Sequence, residues 1–228
     1  MRGLAFLLLA LAAPALADPM RSELRMTLYH EVGHAVFDQL ELPVYGVEET
    51  AADAFALALA LRLHSEAEMA QIVTDTTERY RAEAATELFD NWAQYMPSGQ
   101  RLARAICLFY GGKPVQRGDL ARALGMPPDE AERCRSDAAD MDAAWAPVLD
   151  DLAPAPGARA DSLRLGRGSH RLGALSRDIK RVNRRIALPR PVPVEVEDCG
   201  EPNAFYYGEA ERIVICTELI DTLEGGAH

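Results

Sequence analysis

Residues 30–34 of this 228-residue chain read HEVGH. On a helix, positions i and i+4 share one face, so His30 and His34 can hold one metal ion between their imidazoles. Glu31, beside the first of them, can reach a water on that metal and take its proton, the general-base step of a hydrolysis. A chance match on an amphipathic helix is the plain alternative, and with five histidines in the whole chain it is a rare one. A catalytic zinc needs a third protein ligand and an open fourth position. The longer HExxHxxGxxH pattern is absent, since Phe37 stands at the glycine position and Leu40 at the last histidine. In its place the chain carries EETAAD at 48–53. Glu49, at the start of a second helix, can complete a two-His, one-Glu set across a short loop. Asp53, one turn further, can accept a hydrogen bond from a ligand imidazole and fix its tautomer. Glu48 competes for the ligand role, but the spacing to Asp53 favours Glu49. Without the HEVGH beside them, these acids would read as a solvated helix N-terminus.

The elements that must carry these residues divide the chain in three. Residues 18–150 read as successive helices, at about 21–40, 48–64, 75–95, 98–110, 117–124 and 128–146, separated by turn signals such as LPVYG, MPSG, YGGKP and GMPP. Residues 151–170, rich in Pro, Gly and Arg, read as a linker. In 171–228 a basic helix at about 171–187 precedes two β-rich stretches, PVPVEVEDC and ERIVIC, and a short closing helix. No internal repeat is present.

Composition narrows the setting. A formal net charge of −11 argues against nucleic acid as a partner. Residues 1–17 carry one early Arg, an unbroken apolar run and an Ala-Leu-Ala exit, the pattern of a secretory signal peptide cleaved near Ala17. A periplasmic or secreted protein is expected. In that oxidising setting four cysteines predict disulfides. Of the three possible pairings, Cys107–Cys134 and Cys199–Cys216 each lie within one local unit. No close CxxC pair suggests a four-cysteine metal site.

The combination HEVGH…EETAAD resembles the gluzincin arrangement HExxH…ExxxD, and more narrowly a poorly characterised family of bacterial zinc metallopeptidases. RLARAICLFYGGKP with AERCRSD resembles that family's helical C-terminal half and its Cys pair. The stretch from NRRIALPRP to ICTELIDTL, with CGEPNAFY and ICTEL, resembles its N-terminal half. The family order places the NAFY block ahead of HExxH, whereas here it comes after, as in a circular permutant joined through 150–170. The resemblance implies an α+β, mostly helical zincin-like domain with a small disulfide-pinned β-hairpin or sheet. It also implies Zn²⁺ as cofactor and a peptide or protein as substrate.

Asn203, Tyr206 and Tyr207 in the NAFYY stretch are the candidate substrate-binding residues. An extended peptide can add to an exposed strand edge, and a tyrosine hydroxyl can polarise a scissile carbonyl. Core or rim packing for the aromatics, and a turn role for Asn203, are the alternatives. His64 reads as a surface residue at a helix end, His170 as part of the linker, and His228 as terminal. Residues 159–190 carry ten Lys/Arg against two Asp/Glu, so that stripe can touch an anionic envelope surface or pair with the acidic remainder of its own chain. The function expected is zinc-dependent peptide-bond hydrolysis by an exported enzyme. The alternative is a non-catalytic, zincin-derived binding protein of the cell envelope.

Overall fold

The computed structural model describes residues 19–225. The expected signal peptide lies outside them. Six helices come first: α1 (Pro19–Gln39), α2 (Glu48–Leu63), α3 (Glu66–Ala84), α4 (Ser98–Gly112), α5 (Pro114–Ala123) and α6 (Ala131–Asp151). After them come β1 (Leu163–Leu165), α7 (Ser176–Arg185), β2 (Val192–Glu197), β3 (Ala204–Tyr207), β4 (Arg212–Cys216) and α8 (Thr217–Gly225). The class is α+β, mostly helical, as the sequence implies.

Helix α1 is the axis of the molecule. Leu24, Leu28, Tyr29, Val32 and Val36 are all fully buried, because α2, α3 and the β3 edge of the sheet pack against it. A helix covered on several faces loses the simple apolar stripe of a surface helix. It stops in a Schellman turn: Glu41 takes φ of 49°, Leu42 N–H donates to the Phe37 carbonyl and Glu41 N–H to that of Asp38. Phe37, where a metzincin would carry glycine, instead stacks on Trp145 of α6 at 5.1 Å between centroids and meets Phe55 of α2 at 5.8 Å. That aromatic cluster fastens α1, α2 and α6 together.

Gly33 decides how closely α2 approaches. A Cβ there would lie 3.1 Å from the Phe55 ring and 3.4 Å from the Ala52 Cα. The two helices therefore cross at Gly33, one turn from where Glu49 must meet His30.

The sheet has strand order β1-β2-β4-β3, with β1, β2 and β4 parallel and β3 antiparallel to β4. Strand β3 is an outer strand and runs beside α1. Two disulfides brace the frame: Cys107–Cys134 joins α4 to α6, and Cys199–Cys216 ties the segment before β3 to the end of β4.

Three expectations shift. Helix α3 begins at Glu66 rather than about 75, because Ser65 and Glu68 form a capping box that starts it early. It ends at Ala84, leaving 85–97 as a loop whose Leu88, Phe89 and Trp92 side chains are exposed. The stretch read as linker supplies β1, which pairs with β2 through Leu163–Val192. His64 is not a surface residue. Its side chain is fully buried, bonded to the Tyr29 hydroxyl at 2.9 Å and to Arg181, because α7 closes over the end of α2.

Half of the ten cations in the basic stripe are paired internally. Arg164, Arg167, Arg171, Arg181 and Arg190 all form ion pairs with the protein's own carboxylates.

Candidate metal centre

Helix α1 presents His30 and His34 on one face, and the first turn of α2 presents Glu48 and Glu49 opposite them. Acids in that turn are favoured by the positive end of the α2 dipole. His30 Nε2 lies 3.1 Å from His34 Nε2 and 2.9 Å from Glu49 Oε2. His34 Nε2 lies 3.5 Å from the same Glu49 oxygen. A tetrahedral zinc site with arms of about 2.0–2.1 Å has ligand-to-ligand edges of about 3.3–3.4 Å. The three donors thus form a triangle of the size one such ion requires.

The other ring nitrogens are held from behind. His30 Nδ1 meets Asp53 Oδ1 at 2.9 Å, and His34 Nδ1 meets Glu48 Oε1 at 2.7 Å. With each Nδ1–H donating to a carboxylate, both Nε2 lone pairs face the shared point. Asp53 is in turn gripped by Arg101, whose Nε and Nη2 each donate at 2.8 Å.

The local field favours positive charge at the imidazoles. Burial pulls the His30 pKa down, but hydrogen bonds to Asp53 and Glu49 outweigh it and lift it to about 9. His34 is raised in the same way, against burial, by Glu49 and Glu48. Burial alone would raise Glu49, yet its bonds from His30 and His34 hold it below the usual carboxylate range. A site that stabilises a proton on neutral imidazole so strongly is equally disposed toward a metal cation. The residues present fit the ion.

Glu31 points to the same region and is 4% exposed. Burial pushes its pKa up, eased by the neighbouring histidines and by a hydrogen bond from the Tyr206 main chain. A groove lined by Glu31, His34, Glu49, Tyr95 and Tyr206 runs between α1, α2 and β3.

The remaining sequence candidates take varied places. The Tyr206 hydroxyl donates to Asp38 at 2.7 Å, on the groove wall. Tyr207 lies outside the groove lining, 43% exposed, with the Arg212 guanidinium over its ring. Asn203 shapes the turn into β3, its side-chain oxygen accepting from Ala204 N–H and its carbonyl from Cys216 N–H.

Two contributors, Arg101 and Tyr95, escape sequence reasoning, and Glu48 takes a different role from the one expected. Glu48 supports His34 rather than competing with Glu49. Arg101 supports Asp53. Tyr95 comes from an irregular loop and faces the centre, its ring centroid 6.3 Å from that of His30. Burial first, and then the charges of Glu49 and Glu31, raise its pKa. Nothing in the loop's sequence marks it; only the arginine spacing RxxR on α4 hints at a polar face there.

A family model described as Putative metallopeptidase, DUF4344, matches residues 12–149 and 167–226. No curated protein and no solved structure matches the chain.

Proposed function

The chain belongs to this family of putative metallopeptidases, and we propose that it is an exported zinc-dependent peptidase with a gluzincin-type centre. The observation that carries the reading is the triangle of His30, His34 and Glu49 donors with a buried Glu31 beside it. These three would hold the ion. When bound, zinc supplies a Lewis acid that acidifies water and polarises a carbonyl.

The rest is done by the chain. Glu31 takes a proton from the attacking water and returns it to the departing amine; a carboxyl whose pKa is raised by burial is suited to carrying it. Asp53 and Glu48 keep both imidazoles in the tautomer that offers Nε2. The outer edge of β3 receives the substrate main chain by strand addition. Tyr95, which faces the centre with its hydroxyl hydrogen-bonded to Glu49, and Tyr206, whose hydroxyl donates to Asp38, are the two candidate donors to a developing oxyanion.

The proposal includes a permuted chain order. Residues 150–166 fall between the two matched stretches, where a seam would lie. The β3–β4 hairpin packs along α1 although it is encoded some 170 residues later, with Tyr206 bonded to Asp38. Five of the ten cations at 159–190 are ion-paired within the chain, and Arg159, Arg177, Lys180, Arg184 and Arg185 remain for a weak contact with an anionic envelope surface.

The test is metal content and peptide-library cleavage on the mature protein. One zinc per chain and cleavage are expected; Glu31→Gln should keep the metal and lose turnover by at least about 100-fold. Cleavage by Glu31→Gln at the parent rate would overturn the mechanism. Full metal with no cleavage of any peptide would favour the non-catalytic binding protein.

A further inference from the structure

Behind the metal centre the helices enclose a second cavity of about 130 Å³, where about 10–15 Å³ admits one water. It begins at His30 and Glu31 and extends inward between α1, α3 and α4. Glu31 and Tyr95 line both this chamber and the groove along β3. A main chain lying in the groove can therefore drop one side chain into it.

The chamber has apolar walls, including Met26, Ile72 and Leu108, and three arginines. Two of the arginines are neutralised. Arg79 pairs with Glu23 at 2.6 Å, and Arg101 with Asp53 at 2.8 Å. Arg104, one turn beyond Arg101 on the same face of α4, forms no ion pair or hydrogen bond among the described residues. Its Nε is shut away from water and unpartnered. The Thr76 hydroxyl, on a residue only 7% exposed, also lines the chamber with no partner. Buried donors without partners are uncommon in native proteins, and two lining one cavity point to something that fills it.

We propose that this chamber is the specificity pocket of the site and receives a carboxylate from the substrate residue flanking the cleaved bond. The carboxylate is either an acidic side chain or the α-carboxylate of a chain end. The chemistry is the match between a guanidinium fork and a carboxylate, with the apolar wall taking the methylenes that lead to it. Because Glu31 also lines the chamber, the incoming acid must sit at the Arg104 end, which favours glutamate over the shorter aspartate. The pocket's place rests on the peptidase reading; its ligand chemistry does not.

The test is therefore binding rather than turnover. Zinc-loaded Glu31→Gln protein is titrated calorimetrically with acetyl-Ala-Glu-Ala-amide and its Gln counterpart, and with acetyl-Ala-Ala-Ala as free acid and as amide. One acid is expected to bind at least tenfold tighter than its neutral partner, and which pair responds identifies the source of the carboxylate. Adding Arg104→Met should erase that preference by weakening the acids more than their neutral partners, and Arg104→Lys should retain part of it. Should Arg104→Met fail to fold, Arg104→Gln carries the same comparison. Equal binding of acid and neutral peptides, or a preference that survives loss of the guanidinium, would overturn the proposal. Cleavage by the parent enzyme with no acid preference would overturn it alone; acid-selective binding with no cleavage would uphold it and sink the peptidase reading instead.

Discussion

Arg101 holds Asp53 with two parallel hydrogen bonds of 2.8 Å, and Asp53 in turn holds His30 at 2.9 Å. The orientation of the His30 imidazole is thus set two residues away, on a different helix. Arg101→Met should lower zinc affinity by about 10–100-fold, the usual cost of removing such support. Competition with a chromophoric chelator measures it. Unchanged affinity would mean that Asp53 orients His30 unaided.

Gly33→Ala pits two effects against each other. Helix propensity favours alanine by about 1 kcal/mol. The new methyl, however, would stand 3.1 Å from the Phe55 ring, and Phe55 is hemmed in by Phe37 and Trp145. Displacement of α2 is expected to win, carrying Glu49 off His30 and weakening zinc binding by at least about tenfold. Thermal melts with and without zinc separate the two: the apo protein should lose little, and the stabilisation added by zinc should shrink.

His64 should make stability fall in mild acid. Burial first, and then the charges of Arg25 and Arg181, depress its pKa to about 4 from 6.5. Above pH 6.5 the imidazole is neutral in both folded and unfolded chains, and its contribution is fully present. As pH falls from 6.5 to 4 the unfolded chain takes up a proton that the folded one refuses, so stability is lost across that window. The shift corresponds to up to about 3 kcal/mol. Denaturant titrations between those limits should show the slope, and His64→Gln should flatten it. An unchanged slope in the variant would assign the effect to other groups.

Removing Cys199–Cys216 should separate substrate binding from metal binding. That bond pins the segment leading into β3, while Glu218 accepts from Cys199 N–H at 3.1 Å and also from Gly200 N–H. A Cys199→Ser, Cys216→Ser double variant is expected to keep zinc and to raise KM for peptides, as the receiving strand loosens. Losing the Cys107–Cys134 bond, which braces α4 against α6, should instead cost mainly global stability, about 3.6 kcal/mol for a loop of its size. Zinc loss in the first variant would show that β3 also supports the centre.

The convergence of these side chains was legible because their spacing is periodic: His30 and His34 share a helical face, and Glu49 and Asp53 share another. The disulfide pairs were legible because each closes a short local loop. What stayed hidden depends on contacts between distant segments. Tyr95 and Arg101 gain their roles only when α4 packs on α3 and α6 and brings them to the α1–α2 centre. The burial of His64 depends on α7, more than a hundred residues later. Strand β1 has only three residues and pairs only after β2 exists, so no local pattern could separate it from a linker. The start of α3 was visible in Ser65 and Glu68, and the polar residues after them masked it.

Asp178 on α7 is fully buried and accepts from Arg25 and Arg21 at 3.0 and 3.1 Å, although Arg25 precedes it by 153 residues. The consequence is one of timing. Helix α1 is made early, yet two of its cations and one of its flanks are sealed only by segments that emerge last. Until those segments are in place α1 lacks these partners, and contacts of such long range form slowly. Pairing of Arg21 and Arg25 and closure of the β3 flank of α1 are thus late events in assembly, completed only when residues beyond 175 are in place.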